Sequence, residues 1–187
     1  MASAMKVHET SLPGVLLIEL AVFGDRRGRF METYRRERYL DIGVDAEFVQ
    51  DNFSSSIKGT VRGLHHQLRS PQGKLIHVTE GEVFDVVVDI RRGSPTFGSW
   101  FGAILSAENH LQLWIPPGFA QGFLVTSESA DFAYKCSTVY DREDDRAIRW
   151  NDPELAIEWP LVTAPLLSDR DQNAPLLRDS ELPAYVP

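Results

Sequence analysis

Short β-type runs separated by Gly, Pro, Asn, Asp and Ser dominate the chain and restrict its fold more than any other feature. The runs are Val15–Val22, Arg29–Tyr34, Phe48–Ser55, Thr60–Gln67, Lys74–Thr79, Glu82–Ile90, Gly98–Leu105, Gln112–Ile115, Gly122–Thr126, Asp131–Thr138 and Ala147–Trp150. Helical periodicity is confined to Arg35–Leu40 with its flanks and to a short helix expected near Asp152–Leu155. Many short strands with turn signals between them predict an all-β antiparallel sandwich or barrel with a few short helices. The spacing leaves no room for repeated crossover helices, which argues against a parallel α/β sheet. After Trp159 the chain becomes Pro-rich, and residues 160–187 are expected to wrap the barrel without regular structure. The 187 residues are read as one domain spanning 1–187, long enough to bury a core. Val15–Val22 is the expected edge strand.

Charge narrows the partners. Lys and Arg number 19 against 27 Asp and Glu, so 19 − 27 = −8. That balance argues against a nucleic-acid surface, which needs a basic face to meet phosphates. One phosphorylated ligand remains compatible, because a few Arg and Lys residues can hold it locally. The single cysteine, Cys136, excludes an internal disulfide framework and a multi-cysteine zinc site. The apolar runs Gly14–Phe23 and Val83–Ile90 are interrupted by Glu19 and by Asp85 and Asp89, and neither approaches the ~20 residues that cross a bilayer. The start, MASAMKVHE, lacks a hydrophobic signal core, so a cytoplasmic protein without a membrane partner is expected. A second Met, Met5, suggests that residues 1–4 are vector-derived.

The informative places are strands that break their own pattern. In VFDVVVDI, alternation puts Phe84, Val86, Val88 and Ile90 on one face and Val83, Asp85, Val87 and Asp89 on the other. So apolar a strand is buried on both sides, and its two carboxylates need partners. Either they cap loops or pair with arginines, or they line a polar pocket. In TVRGLHHQ, His65 and His66 point to opposite faces, and a lone inward His is more often a hydrogen-bonded core residue than a catalyst. Alternation groups Arg62 with His66, but a bend at Gly63 would bring Arg62 to the cavity of His65. Gln50 and Asn52 share one face of FVQDNFS. Phe132, Tyr134 and Cys136 share one face of DFAYKCST, where a tyrosine is by default a core residue with a satisfied hydroxyl.

Other chemistries lack their residues. A His-x-His pair is absent and His77 lies well downstream, so no local cluster offers three metal ligands to one face. There is no Gly-x-Ser-x-Gly elbow, and Cys136 has no base nearby in sequence. Glycine loops of the Rossmann or Walker type are also missing. A phosphate would have to be held by side chains such as Arg27, Arg62 and Lys74.

Taken as an ordered set, the runs GDRRGRFMETY, FVQDNFS, VRGLHHQ, KLIHVTEGEVFDVVVDIRRGSPTFG, WIPPGFAQGFLV, YKCSTVY, WNDPELAIEWP and LSDRDQNAP resemble the dTDP-4-dehydrorhamnose 3,5-epimerase family. The resemblance runs from about Gly24 to Pro175. It implies a cupin-type β jelly roll, a homodimer, and neither cofactor nor metal. It also implies proton transfer on a dTDP-4-keto-6-deoxyhexose in deoxysugar biosynthesis, the route to dTDP-L-rhamnose or a related sugar. The ketone at carbon 4 acidifies the hydrogens on carbons 3 and 5. Inversion then needs a base, an acid on the opposite face of the sugar, and a donor at the oxygen that becomes negative.

Carried over by position, the resemblance makes His65 the base and Asp171 the carboxylate that fixes its tautomer and stabilises its protonated ring. It makes Tyr134 the opposing acid and Lys74 the group that stabilises the enolate. Arg27, Glu32, Gln50, Asn52 and Arg62 match positions that hold the nucleotide and diphosphate. Asp85 matches a pocket carboxylate and Tyr140 a second aromatic of the site. Gln121 stands where the family usually has a histidine. An amide does not ionise near neutral pH, so a proton relay through position 121 is lost. Double inversion is the first reading, ahead of inversion at one carbon only. A catalytically inactive nucleotide-sugar-binding cupin is opposed by the intact set of His65, Tyr134 and Asp171. A metal-dependent cupin oxygenase is the remaining class, and it would carry a stoichiometric transition metal.

Overall fold

A computed structural model describes residues 5–186, so the reading of residues 1–4 as vector-derived falls outside it. Two antiparallel sheets face each other. The first contains six strands in the order β1 (Lys6–Glu9), β2 (Leu16–Glu19), β10 (Leu111–Ile115), β7 (Lys74–Glu80), β12 (Ser129–Cys136) and β5 (Gln50–Ile57). The second contains five, β13 (Asp145–Ala147), β6 (Val61–Gln67), β11 (Phe119–Val125), β8 (Glu82–Asp89) and β9 (Trp100–Ser106). A separate hairpin joins β3 (Val22–Asp25) to β4 (Gly28–Met31). Beyond β5 the chain passes repeatedly from one sheet to the other, the winding of a β jelly roll.

Alternation along β8 explains its composition. Val83 and Val87 point between the sheets and meet Ile76, Leu113, Phe123 and Phe132 in the central core. The rings of Phe123 and Phe132 stack across this core with centroids 4.1 Å apart. Val86, Val88 and Ile90 point the other way, where Leu155, Leu177 and Trp159 of the C-terminal segment cover them. Each fully buried side chain of this kind stabilises the fold by about 1.5–3 kcal/mol. On the outside of the six-stranded sheet, Ile18, Leu75 and Trp114 are covered by Val44 and by Tyr39 of helix α1 (Arg36–Asp41). The Tyr39 hydroxyl bonds the Thr33 carbonyl at 2.9 Å and also contacts Gln112, which fastens α1 to that sheet.

Several expectations need correction. Asp152–Leu155 forms a turn and no helix, because the Asp152 carboxylate accepts the Glu154 and Leu177 N–H groups at 2.8 and 2.6 Å. The C-terminal segment is not devoid of regular structure. It carries a one-turn helix α2 (Asp169–Gln172), a one-turn 3-10 helix (Leu177–Asp179) and a parallel bridge between Leu166 and Thr60. Val15–Val22 is no edge, since β2 is flanked by β1 and β10; β1 and β5 are the free edges of that sheet. β11 begins at Phe119 because its first residues pair with Val87–Asp89 of β8.

Candidate active site

The site begins with a bulge. Across β6 and β11, His65 lies opposite Gln121 and Arg62 opposite Phe123, so Gly63 and Leu64 face the single residue Gly122. Gly63 has φ +132°, and a Cβ there would collide with the Gly122 Cα. The extra residue shifts the phase of the strand, and Arg62 and His65 line one cavity of about 330 Å³ with Ser168, Arg170 and Asp171. His66 points away to the Glu181 carbonyl, 3.3 Å distant, and burial pulls its imidazole down to about 4.

His65 Nε2 is 2.6 Å from Asp171 Oδ1. Asp171 is held by α2, where Ser168 Oγ accepts the Asp171 N–H at 3.1 Å as the N-cap. Burial pushes the Asp171 carboxyl up, but the hydrogen bond and charge of His65, with Ser168 and the Gly63 N–H, hold it below the ordinary aspartate value. An ionised Asp171 only accepts, so the proton lies on Nε2 and the other ring nitrogen is free to take one.

Gln121, opposite His65, extends the site inward. Its Nε2 donates to Asp85 Oδ2 at 2.8 Å, and its Oε1 accepts from Lys74 Nζ at 3.3 Å. Lys74 opens β7 in the facing sheet and lies 5.9 Å from the centre of the Tyr134 ring. Desolvation lowers the Lys74 pKa and raises those of Asp85 and Tyr134. Tyr134 therefore keeps its proton at neutral pH. Of the two strand carboxylates, Asp85 belongs to this polar network, whereas Asp89 binds Arg91, Ser94 and Thr96 in the loop after β8.

Beside Tyr134, its cross-strand partner Asn52 accepts from Gln50 Nε2 at 2.9 Å and donates to Cys136 Sγ at 3.5 Å. Gln50 Oε1 accepts the Tyr140 N–H at 2.8 Å, and the Tyr140 hydroxyl donates to Asp145 at 3.0 Å. Arg62 Nε donates to Ser56 Oγ at 3.0 Å, tying β6 to β5.

Two anticipated residues lie elsewhere in the single chain. Arg27 is 83% exposed in the β3–β4 turn and pairs with Asp25 at 2.6 Å, while Glu32 pairs with Arg38 at 3.2 Å. Their hairpin lies over the outer face of the six-stranded sheet, where Arg29 and Phe30 line a cavity with His77. Sequence reading also missed groups in or beside the pocket. Ser168 had a legible signal, a Ser three residues before an Asp at a helix start. Ser56 shares the inward alternation of Asn52, and Arg170 adjoins Asp171 and pairs with Asp145 at 2.5 Å.

A jelly roll that holds a His–Asp dyad on one wall and a proton-bearing tyrosine with a lysine on the other carries the groups that acid–base chemistry needs. The family model for dTDP-4-dehydrorhamnose 3,5-epimerase matches residues 9–179, and the chain belongs to that family of epimerases. It is 53% identical over 178 residues to the Pseudomonas aeruginosa dTDP-4-dehydrorhamnose 3,5-epimerase, covering 95% of this chain and 98% of that one. It superposes with TM-score 0.97 on a Legionella pneumophila dTDP-6-deoxy-D-glucose-3,5-epimerase in complex with dTDP-4-keto-L-rhamnose, at 50% identity and covering 98% and 100% of the two chains. ChmJ, a 3'-monoepimerase from Streptomyces bikiniensis in complex with dTDP-quinovose, matches with TM-score 0.90 at 36% identity, covering 95% and 93%.

Proposed function

We propose that this single-domain epimerase acts in the cytoplasm, as a homodimer, on a dTDP-4-keto-6-deoxyhexose and inverts carbons 3 and 5. The carrying observation is the opposition of His65, with Asp171 at 2.6 Å, and Tyr134 on facing sheets of one jelly roll. His65 takes the proton made acidic by the neighbouring ketone. Lys74 stabilises the negative oxygen of the enolate, and Tyr134 returns a proton from the other side. Arg62 and Arg170 meet the diphosphate, and Gln50, Asn52 and Tyr140 border the nucleotide end. Asp85 and Gln121 form the inner wall.

The homodimer reading is supported by apolar side chains at a free edge. Phe53 and Ile57 on β5 are each 63% exposed, and Phe30 on the hairpin is 70% exposed. Arg27 and Glu32, remote from His65 in their own chain, contact the nucleotide in the site of the second copy. Incubation with dTDP-4-keto-6-deoxyglucose in deuterated water, followed by NMR, tests the reaction. Label at carbons 3 and 5 is expected. Label at one carbon alone would make this a mono-epimerase, as ChmJ is described, and label at neither would leave an inactive binder.

A further inference from the structure

We propose that Asp85 and Gln121 are positioning residues that aim Lys74, acting as a relay of orientation and not of protons. This deepens the role given to Lys74 above and rests on it. A lysine ammonium only donates, so the Gln121 carbonyl must face Lys74 Nζ, as it does at 3.3 Å. The amide nitrogen is then turned to the opposite side, where Asp85 Oδ2 accepts from it at 2.8 Å. Only one polarity satisfies both contacts, and the acceptor at position 85 selects it.

Two further observations give the relay its weight. Among the described residues Lys74 forms no ion pair, and the Gln121 carbonyl accepts its one side-chain hydrogen bond, with the centre of the Tyr134 ring 5.9 Å away as its other side-chain contact. Asp85 is fully buried, and its Oδ1 has no partner among the described residues. The one hydrogen bond of this costly buried carboxyl goes to Gln121. Burial pushes the Asp85 carboxyl up, and an asparagine at this position would keep a carbonyl oxygen to accept from the amide. Gln121 cannot take up a proton in either direction, so orientation is all that passes through it.

Steady-state kcat and KM with dTDP-4-keto-6-deoxyglucose, on variants checked for folding by circular dichroism, test the relay. Asp85→Leu and Gln121→Met should each lower kcat by about 10- to 100-fold with KM changed by less than about twofold, since a small misplacement of a catalytic group acts on the barrier. The double variant should be no slower than the worse single one, because both act on one unit. Asp85→Asn should recover about fivefold or more of the kcat lost in Asp85→Leu, by supplying the acceptor without a charge. Additive losses, a loss confined to KM, or an Asn variant as slow as the Leu variant would each overturn the relay.

If Asp85→Leu does not fold, Gln121→Met in a Lys74→Met background decides the question: no further loss supports the relay, and a full additional loss overturns it. Lys74→Met also separates the two levels. Undiminished kcat in Lys74→Met removes the enolate role and the relay with it. A dead Lys74→Met beside a fully active Gln121→Met leaves the role and overturns the relay alone.

Discussion

Asp85 and Asp89 lie four residues apart on the inner face of β8, both fully buried, and their fates are opposite. Asp89 accepts from the Arg91 backbone and guanidinium, from Ser94 at 2.5 Å and from Thr96 at 2.7 Å. Burial would push its carboxyl up, but these donors hold it down to about 2. Asp85 receives one neutral amide hydrogen bond, and burial prevails. The charge of a carboxyl shielded from solvent therefore depends on the number and charge of its donors as well as on how deeply it is desolvated. One end of β8 uses a charge to staple a loop, and the other sets a carboxyl with a raised pKa against Gln121.

The contrast predicts activity losses at one end and stability losses at the other. His65→Ala should cut turnover and deuterium exchange by about 10²–10⁴-fold, the usual contribution of a general base, with little change in Tm. Undiminished exchange in that variant would mean the base is wrongly assigned. Asp89→Ala should destabilise by about 3 kcal/mol in urea unfolding, because Arg91 is left largely buried without its partner. Turnover per folded molecule should persist, and an equal loss of kcat would dissolve the division between the two ends. Tyr134→Phe should retain exchange at the base while slowing inversion by about 10²-fold, read by NMR in deuterated water.

The smallest effect is on stability against pH. Asp89 has a depressed folded-state pKa, so its contribution is full above the unfolded value of about 3.9 and fades as pH falls toward about 2. Asp85 has a raised one, so it subtracts stability once pH rises above the unfolded value. Asp85→Asn should then melt at a higher temperature than the parent at pH 7, with the gap closing toward pH 4. Asp89→Asn should melt lower at pH 7, with its gap closing between about pH 4 and pH 2. Gaps of the same sign would break the comparison.

The sandwich and the two-faced burial of β8 were legible because alternation is local and survives wherever the strand is placed. So was the conflict between His65 and His66. Less legible was everything set by remote partners. Helix α2 is too short to show a period, yet it delivers Asp171 to a histidine 106 positions earlier. β2 lost its edge to β1, a four-residue strand that no pattern marks. Arg27 and Glu32 match the family motif in sequence, but the hairpin carries them outside the sheet whose inner face holds Lys74 and Tyr134.

Gly63 and Gly122 carry no functional group, yet the arrangement of the pocket passes through them. Each occupies the room a methyl group would need at the other's backbone. Neither position then admits a side chain unless the backbone opposite it moves. Engineers who diversify this pocket to accept new sugars should leave these two hydrogens where they are.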